Sequence, residues 1–181
     1  IMPSLVGSEM CIRDRDDIRK QFTFLPFDEL KNIEVAAKMS QENSVAIHLR
    51  KGDDYMQSEL MGKGLCTVDY YMKAIDYMRK HINNPHFYVF TDNPCWVKDN
   101  LPEFEYMLVD WNEVSGKRNF RDMQLMSCAK HNIIGNSTYS WWAAWLNANQ
   151  DKIVVGPKRF FNPINSFFST CDIMCEDWIS L

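Results

Sequence analysis

The chain predicts an α/β fold: a parallel sheet flanked by helices. Three observations predict it. Short apolar, β-rich runs at 44–50, 87–91, 106–109, 132–135 and 153–155 alternate with helical periods. The links between them are short, so that consecutive strands are joined through helices and run parallel. The first run, Ser44-Val-Ala-Ile-His-Leu-Arg-Lys-Gly-Asp53, ends abruptly in a basic pair, a glycine and a carboxylate, as a buried strand does when it delivers charge to the mouth of a sheet.

The elements follow in order. Residues 28–40 read as a helix with Asp28 as N-cap and Leu30, Ile33, Ala36 and Ala37 on one face. Strand 44–50 has strand period in Val45, Ile47 and Leu49. A loop with Gly62 and Gly64 leads to Thr67, a good N-cap for a helix over 68–82 with Tyr71, Ile75 and Met78 on one side. Pro85 precedes the second strand, and Pro94 suits the first turn of a short helix reaching Leu101. Strand three is 106–109; a polar loop, 111–119, precedes a helix over 120–130. Strand four is 132–135, followed at once by Ser137-Thr138 and a Trp-rich helix. Strand five, 153–155, is closed by Gly156-Pro157.

Composition bounds the rest. The 181 residues suggest one domain with a full core, and 46% apolar content makes the chain globular. A net charge of −4 argues against a nucleic-acid surface, so any anion site is local. No apolar run approaches the ~20 residues needed to cross a bilayer. Six cysteines are scattered without a Cys-x-x-Cys pair, which favours a reducing compartment over a disulfide or zinc framework; Cys128 reads as a small core residue. Residues 1–15 have no clear period, resemble translated adapter read-through and are set aside as a non-native leader.

Parallel sheets bind ligands at the carboxyl ends of their strands. There stand His48, Arg50, Lys51 and Asp53; Thr91, Asp92 and Asn93; Asp110; and Asn136, Ser137, Thr138 and Ser140. Arg offers a planar fork for phosphate oxygens and Lys a point charge; the same residues beside Asp53 and Asp54 also read as a solvated loop with a weak ion pair. Ser137 and Thr138 precede a helix whose free amides and dipole favour an anion, and either also reads as a plain N-cap. Asp92 can accept hydrogen bonds from a base edge or a ribose diol, or cap the helix that begins at Pro94. Trp141 and Trp142 read as core packing in preference to a sugar platform.

Three motifs carry a resemblance. His48-Leu-Arg50-Lys-Gly-Asp53 resembles the His-x-Arg-Arg/Lys-x-Asp motif of α-1,2-, α-1,6- and protein O-fucosyltransferases. Phe87–Trp96 is similar to the second motif of the bacterial α-1,2 group, and Asp122–Leu146 resembles that group's longest signature. The chain is identified as resembling glycosyltransferase family 11, the galactoside α-1,2-fucosyltransferases. Lys51 stands where Arg is frequent, and Asp54 is an extra residue in the usual Gly-Asp-Tyr. The resemblance implies a Rossmann-like sheet, the nucleotide-binding half of a GT-B type enzyme. Residues 16–181 would be the GDP-fucose-binding lobe, with the acceptor-binding N-terminal lobe missing.

It further implies inverting transfer of fucose from GDP-fucose to the 2-hydroxyl of a galactose-terminated glycan. Arg50 would be the main phosphate ligand, with Lys51 in support. His48 and Asp92 would lie near the nucleoside, Ser137 and Thr138 near the phosphates. Thr91, Asn136 and Ser140 complete the candidate donor site. Asp53 is either the general base or an ion-pair partner of Arg50. The only Asp-x-Asp is Asp14-Arg-Asp16, in or beside the leader, so no metal cofactor is expected. The expected location is the cytoplasm, with peripheral contact at the inner membrane.

Overall fold

A computed structural model describes residues 17–58, 65–162 and 173–181. The leader, the Asp14-Arg-Asp16 motif and the glycine pair Gly62 and Gly64 lie outside the described residues. In chain order the elements are α1 (Leu30–Gln41), β1 (Ser44–Leu49), α2 (Asp53–Met56), α3 (Val68–His81), β2 (His86–Thr91), α4 (Pro94–Asn100), β3 (Tyr106–Val109), α5 (Arg121–Cys128), β4 (His131–Ile133), α6 (Thr138–Leu146), β5 (Val154–Gly156) and β6 (Ile179–Ser180). A short helical stretch at 17–21 precedes them.

The six strands form one sheet in the order β3-β2-β1-β4-β5-β6. Every pairing is parallel, with Val45 beside both Phe87 and His131. Chain direction across the sheet reverses between β1 and β4, and this places a crevice at their carboxyl ends. The α/β expectation holds, with β6 added. That strand is two residues long, too short to leave a period in the sequence.

Both faces of the sheet are covered, so β1 is buried at all six positions. One face carries Val45, Ile47, Leu49, Phe87, Val89, Ile133 and Val155 against Tyr71, Ile75 and Met78 of α3 and Val97 of α4. The other carries Ala46, Tyr88, Phe90 and Val109 against Val35 and Met39 of α1, Leu125 and Met126 of α5 and Ala143 of α6. A third cluster, with Trp145 and Trp178 at its centre and Trp141 and Trp142 packed on it, covers the β4–β5 end. Trp145 and Trp178 are buried and Trp141 and Trp142 pack against them partly buried, in keeping with the core-packing reading.

Helix α3 behaves as its sequence predicts. The Thr67 hydroxyl accepts from Tyr70 N at 3.4 Å, Asp69 lies in the first turn, and Arg79, Lys80 and His81 lie in the last. Helix α1 differs from expectation. Its N-cap position is Glu29, without a side-chain cap bond, because Asp28 is drawn into ion pairs with Arg118 and Arg121. Its buried face is Asn32, Val35 and Met39, while Leu30 is 77% exposed and Ile33 is exposed as well. Asn32 accounts for the rotation: it donates to Asn112 Oδ1 at 2.8 Å and accepts from Trp111 Nε1 at 2.8 Å, so a polar residue fixes which side faces in. Cys128 also departs from expectation: at the end of α5 it is exposed. Cys66, Cys95 and Cys128 form no disulfide.

Candidate active site

The crevice between β1 and β4 opens into a cavity of about 450 Å³. His48, Arg50, Thr91, Asp92, Asn136, Ser137 and Thr138 line it, and these come from the ends of β1, β2 and β4. The arginine past the first strand and the hydroxyl-bearing start of α6 therefore face one space. A second cavity, about 330 Å³, lies at the amino-terminal ends of β2 and β3. In it Glu42 accepts from Tyr88 and lies 3.7 Å from His86 Nδ1.

Strand β1 ends at Leu49, and the chain turns sharply through Arg50, Lys51 and Gly52 into α2. The turn is held by the end of β2. Asp92 accepts from Lys51 N at 2.6 Å and Gly52 N at 2.9 Å, and pairs with Arg50 Nη1 at 2.7 Å. A Cβ at position 52 would lie 2.5 Å from Asp92 Oδ2, so glycine is required for this approach. Asn93, not Asp92, caps α4: its side chain accepts from Trp96 N at 3.0 Å and donates to Lys51 O at 3.0 Å. The capping role open to Asp92 in the sequence thus falls to its neighbour.

Lys51 does not line the cavity. Its side chain is buried, with Nζ 3.0 Å from Cys66 O and 4.6 Å from the centre of the Trp96 ring. Burial lowers its pKa. Cys66 has a left-handed backbone (φ 45°) that turns its carbonyl to Lys51, while its thiol accepts from Asn136 N at 3.3 Å. Burial pushes that thiol up to about 11, so it is an unreactive packing group. Asp53 is exposed in the first turn of α2. Arg50 pairs instead with Asp92 and, at 2.8 Å, with Asp54. Ser140 is buried, bonding to Ser137 O at 3.1 Å, and lies outside the cavity lining. Asp110 pairs with Lys98 at 3.7 Å.

Ser137 occupies the N-cap position of α6, but its side chain makes no capping bond. The cap reading is therefore not realised. The first amides of the helix, the Ser137 and Thr138 hydroxyls and the helix dipole converge on the cavity as an anion-attracting end. His48 is 5% exposed, and its Nδ1 has no hydrogen-bond partner among the described residues. Burial pushes its pKa down to about 4, with Asp92 opposing and Arg50 reinforcing the shift. The imidazole is therefore neutral at pH 7 and offers an unused polar atom at the cavity wall.

The sequence did not single out Tyr55, Glu113, Val114, Asn119, Asp122 or Tyr139, all of which line the same cavity. Tyr139 packs 5.5 Å from the His48 ring. Its hydroxyl accepts from Met123 N at 2.8 Å and donates to Asn119 O at 2.6 Å, which ties α6 to α5. Asp122, in the first turn of α5, accepts from Asn112 at 2.7 Å. Burial raises its carboxyl to about 6. Its signal was its place at the helix start that follows β3, at the carboxyl end of the sheet. Among the described residues no cluster of three His, Cys, Asp or Glu side chains is gathered for a metal.

A doubly wound parallel sheet with an arginine and a helix start converging at its switch point is the arrangement in which α/β folds form a ligand crevice suited to an anion. Residues 8–181 match the model of a family described as Glycosyl transferase family 11, and the chain belongs to that family. The match begins inside the segment set aside as a leader. The chain is 34% identical over 173 residues to an alpha-1,2-colitosyltransferase of Escherichia coli, covering 94% of this chain and 58% of that protein. It is 39% identical over 142 residues to the O-antigen biosynthesis glycosyltransferase WbnK of Escherichia coli, covering 77% of this chain and 45% of that protein. A bovine galactoside 2-alpha-L-fucosyltransferase, SEC1, is 28% identical over 103 residues, 56% of this chain and 28% of that protein. The chain thus spans about half the length of the first two of these relatives. No helix among the described residues is long and apolar enough to cross a membrane.

Proposed function

We propose that the cavity binds GDP-fucose and that the enzyme transfers fucose to the 2-hydroxyl of a terminal galactose, with inversion, in the cytoplasm or at the inner face of the membrane. The observation that carries this reading is the convergence of Arg50 with the start of α6 on one cavity, in a chain that bears the His48–Asp53 motif. During transfer the bond between fucose C1 and the β-phosphate oxygen breaks, and that electron pair leaves with GDP. The acceptor oxygen forms the new bond to C1 from the opposite face and gives up its proton to a base. Negative charge grows on the β-phosphate, and Arg50, the α6 amides and the hydroxyls of Ser137 and Thr138 are the groups to stabilise it. In this reading no metal ion takes part.

His48 supplies a neutral ring nitrogen to the nucleoside. Asp122, with one hydrogen bond from Asn112, keeps acceptor capacity for the base or ribose. Asp53, exposed and not paired with Arg50, is the carboxylate to test as base: Asp53→Asn should lower kcat and spare GDP affinity.

Calorimetric titration with GDP tests the donor assignment. Arg50→Ala should weaken GDP roughly 10- to 100-fold, the worth of a charged hydrogen bond to phosphate. Unchanged affinity would refute the phosphate assignment. Transfer to lactose, with and without chelator, tests the reaction; activity abolished by chelator would overturn the metal-free reading. A chain that binds GDP and transfers nothing is a nucleotide-binding unit only. The likeness over 94% of the chain to a colitosyltransferase favours one second reading, colitose as the transferred sugar. Side-by-side assays with GDP-fucose and GDP-colitose decide between them.

A further inference from the structure

Arg50 is one-third exposed, and a long side chain just past a strand end samples many rotamers unless something holds it. Asp92 is the holder. Its side chain is 7% exposed and takes three donors: Lys51 N at 2.6 Å, Gly52 N at 2.9 Å and Arg50 Nη1 at 2.7 Å. Asn93 completes the grip by donating to Lys51 O at 3.0 Å. A carboxylate with both oxygens so engaged has little capacity left for a base edge or a ribose diol. The other partner of Arg50 is different in kind. Asp54 lies 2.8 Å from Nη2 but is 74% exposed, so its pairing is solvent-screened and easily exchanged.

We propose that Asp92 is a positioning residue. It sets the β1–α2 turn and clamps one side of the Arg50 guanidinium so that the remaining N–H groups meet the diphosphate, while Asp54 is a counter-ion that the incoming diphosphate displaces. The inference rests on the GDP reading above and assigns Asp92 to the arginine, not to the nucleoside. The clamp is local preorganisation: the two backbone bonds fix the turn, and the ion pair fixes the fork.

Binding to three probes tests it: GDP, pyrophosphate and guanosine. Asp92→Asn should weaken GDP and pyrophosphate roughly 10- to 100-fold and leave guanosine unchanged, the range expected when a binding group is displaced by about 1 Å. Asp92→Glu should recover part of the loss. Asp54→Asn should tighten GDP and pyrophosphate. In an Arg50→Ala background, Asp92→Asn should cost little more, since it acts through that side chain. Gly52→Ala reaches the same clamp from the other side, because its methyl would meet Asp92 Oδ2. If Asp92→Asn does not fold, Gly52→Ala must show the same selective loss.

Equal loss of guanosine and GDP, or pyrophosphate affinity untouched by both variants, overturns the clamp. Wild-type protein that binds pyrophosphate but not GDP overturns the GDP reading alone. Wild-type protein that binds neither overturns both.

Discussion

His48 and Asp122 face one cavity and respond to acid in opposite directions. Burial drops the His48 imidazole from 6.5 to about 4, so in the fold it stays neutral while in the unfolded chain it takes a proton. Stability from His48 is therefore complete above pH 6.5 and is lost as pH falls toward 4, on the order of 3 kcal/mol in all. Burial lifts the Asp122 carboxyl from 3.8 to about 6. The fold then holds a proton that the unfolded chain releases, so this site gains stability as pH falls from 6 to 3.8. The two slopes oppose each other between pH 4 and 6. Asp122→Asn removes one of them. Its melting temperature should fall more steeply than the wild type's between pH 6.5 and 4; parallel pH curves would show that Asp122 is not shifted. The same residue-scale logic explains Lys51. Motif and charge mark it as a phosphate ligand, yet its ammonium is turned under Trp96 to the Cys66 carbonyl, a contact 15 residues away that spacing does not reveal.

Helices and strands read well where their own periodicity decides them, and poorly where a partner does. The α3 stripe of Tyr71, Ile75 and Met78 faces the sheet as its spacing indicates. In α1 the stripe rotates, because burying Asn32 with its bonds to Trp111 and Asn112 and packing Val35 and Met39 outweighs burying Leu30 and Ile33. Met39 is fully buried. Met39→Ala should cost about 2–5 kcal/mol in denaturant unfolding, whereas Leu30→Ala should stay within about 0.5 kcal/mol. The reverse ranking would place α1 in the orientation that its apolar spacing alone suggests. Cap chemistry behaves likewise. Thr67 and Pro94 mark their helix starts locally, but Asp28 leaves its cap position for Arg118 and Arg121, which lie far along the chain.

At the scale of the whole molecule, the parallel sheet fixes where chemistry can occur. The order β3-β2-β1-β4-β5-β6 places the ends of β1 and β4 side by side, and with them Arg50 and the first turn of α6. The far edge is sealed separately. β6 pairs with β5, Leu181 N donates to Gly156 O at 3.0 Å, and Trp178 packs 5.6 Å from the Trp141 ring. That edge lies two places from β4 in the strand order, away from the β1–β4 cavity. Trp178→Ala should therefore destabilise by about 3–5 kcal/mol, read in denaturant melts, while folded protein keeps its GDP affinity. A drop in affinity matching the drop in stability would couple the two ends of the sheet.

Read alone, the amino-acid order carries the α/β class, the strand positions to within a residue or two, and most of the polar groups at the strand ends, because these depend on short-range period, turn residues and charge placed after apolar runs. It does not carry the partners of those groups. Whether Asp92 caps a helix, meets a ligand or holds Arg50, whether Lys51 points out or in, and whether Asp122 and Tyr139 reach the cavity are settled by residues distant along the chain. The tertiary structure brings those residues together, and hydrogen-bond satisfaction and burial then choose one arrangement from several that local chemistry allows.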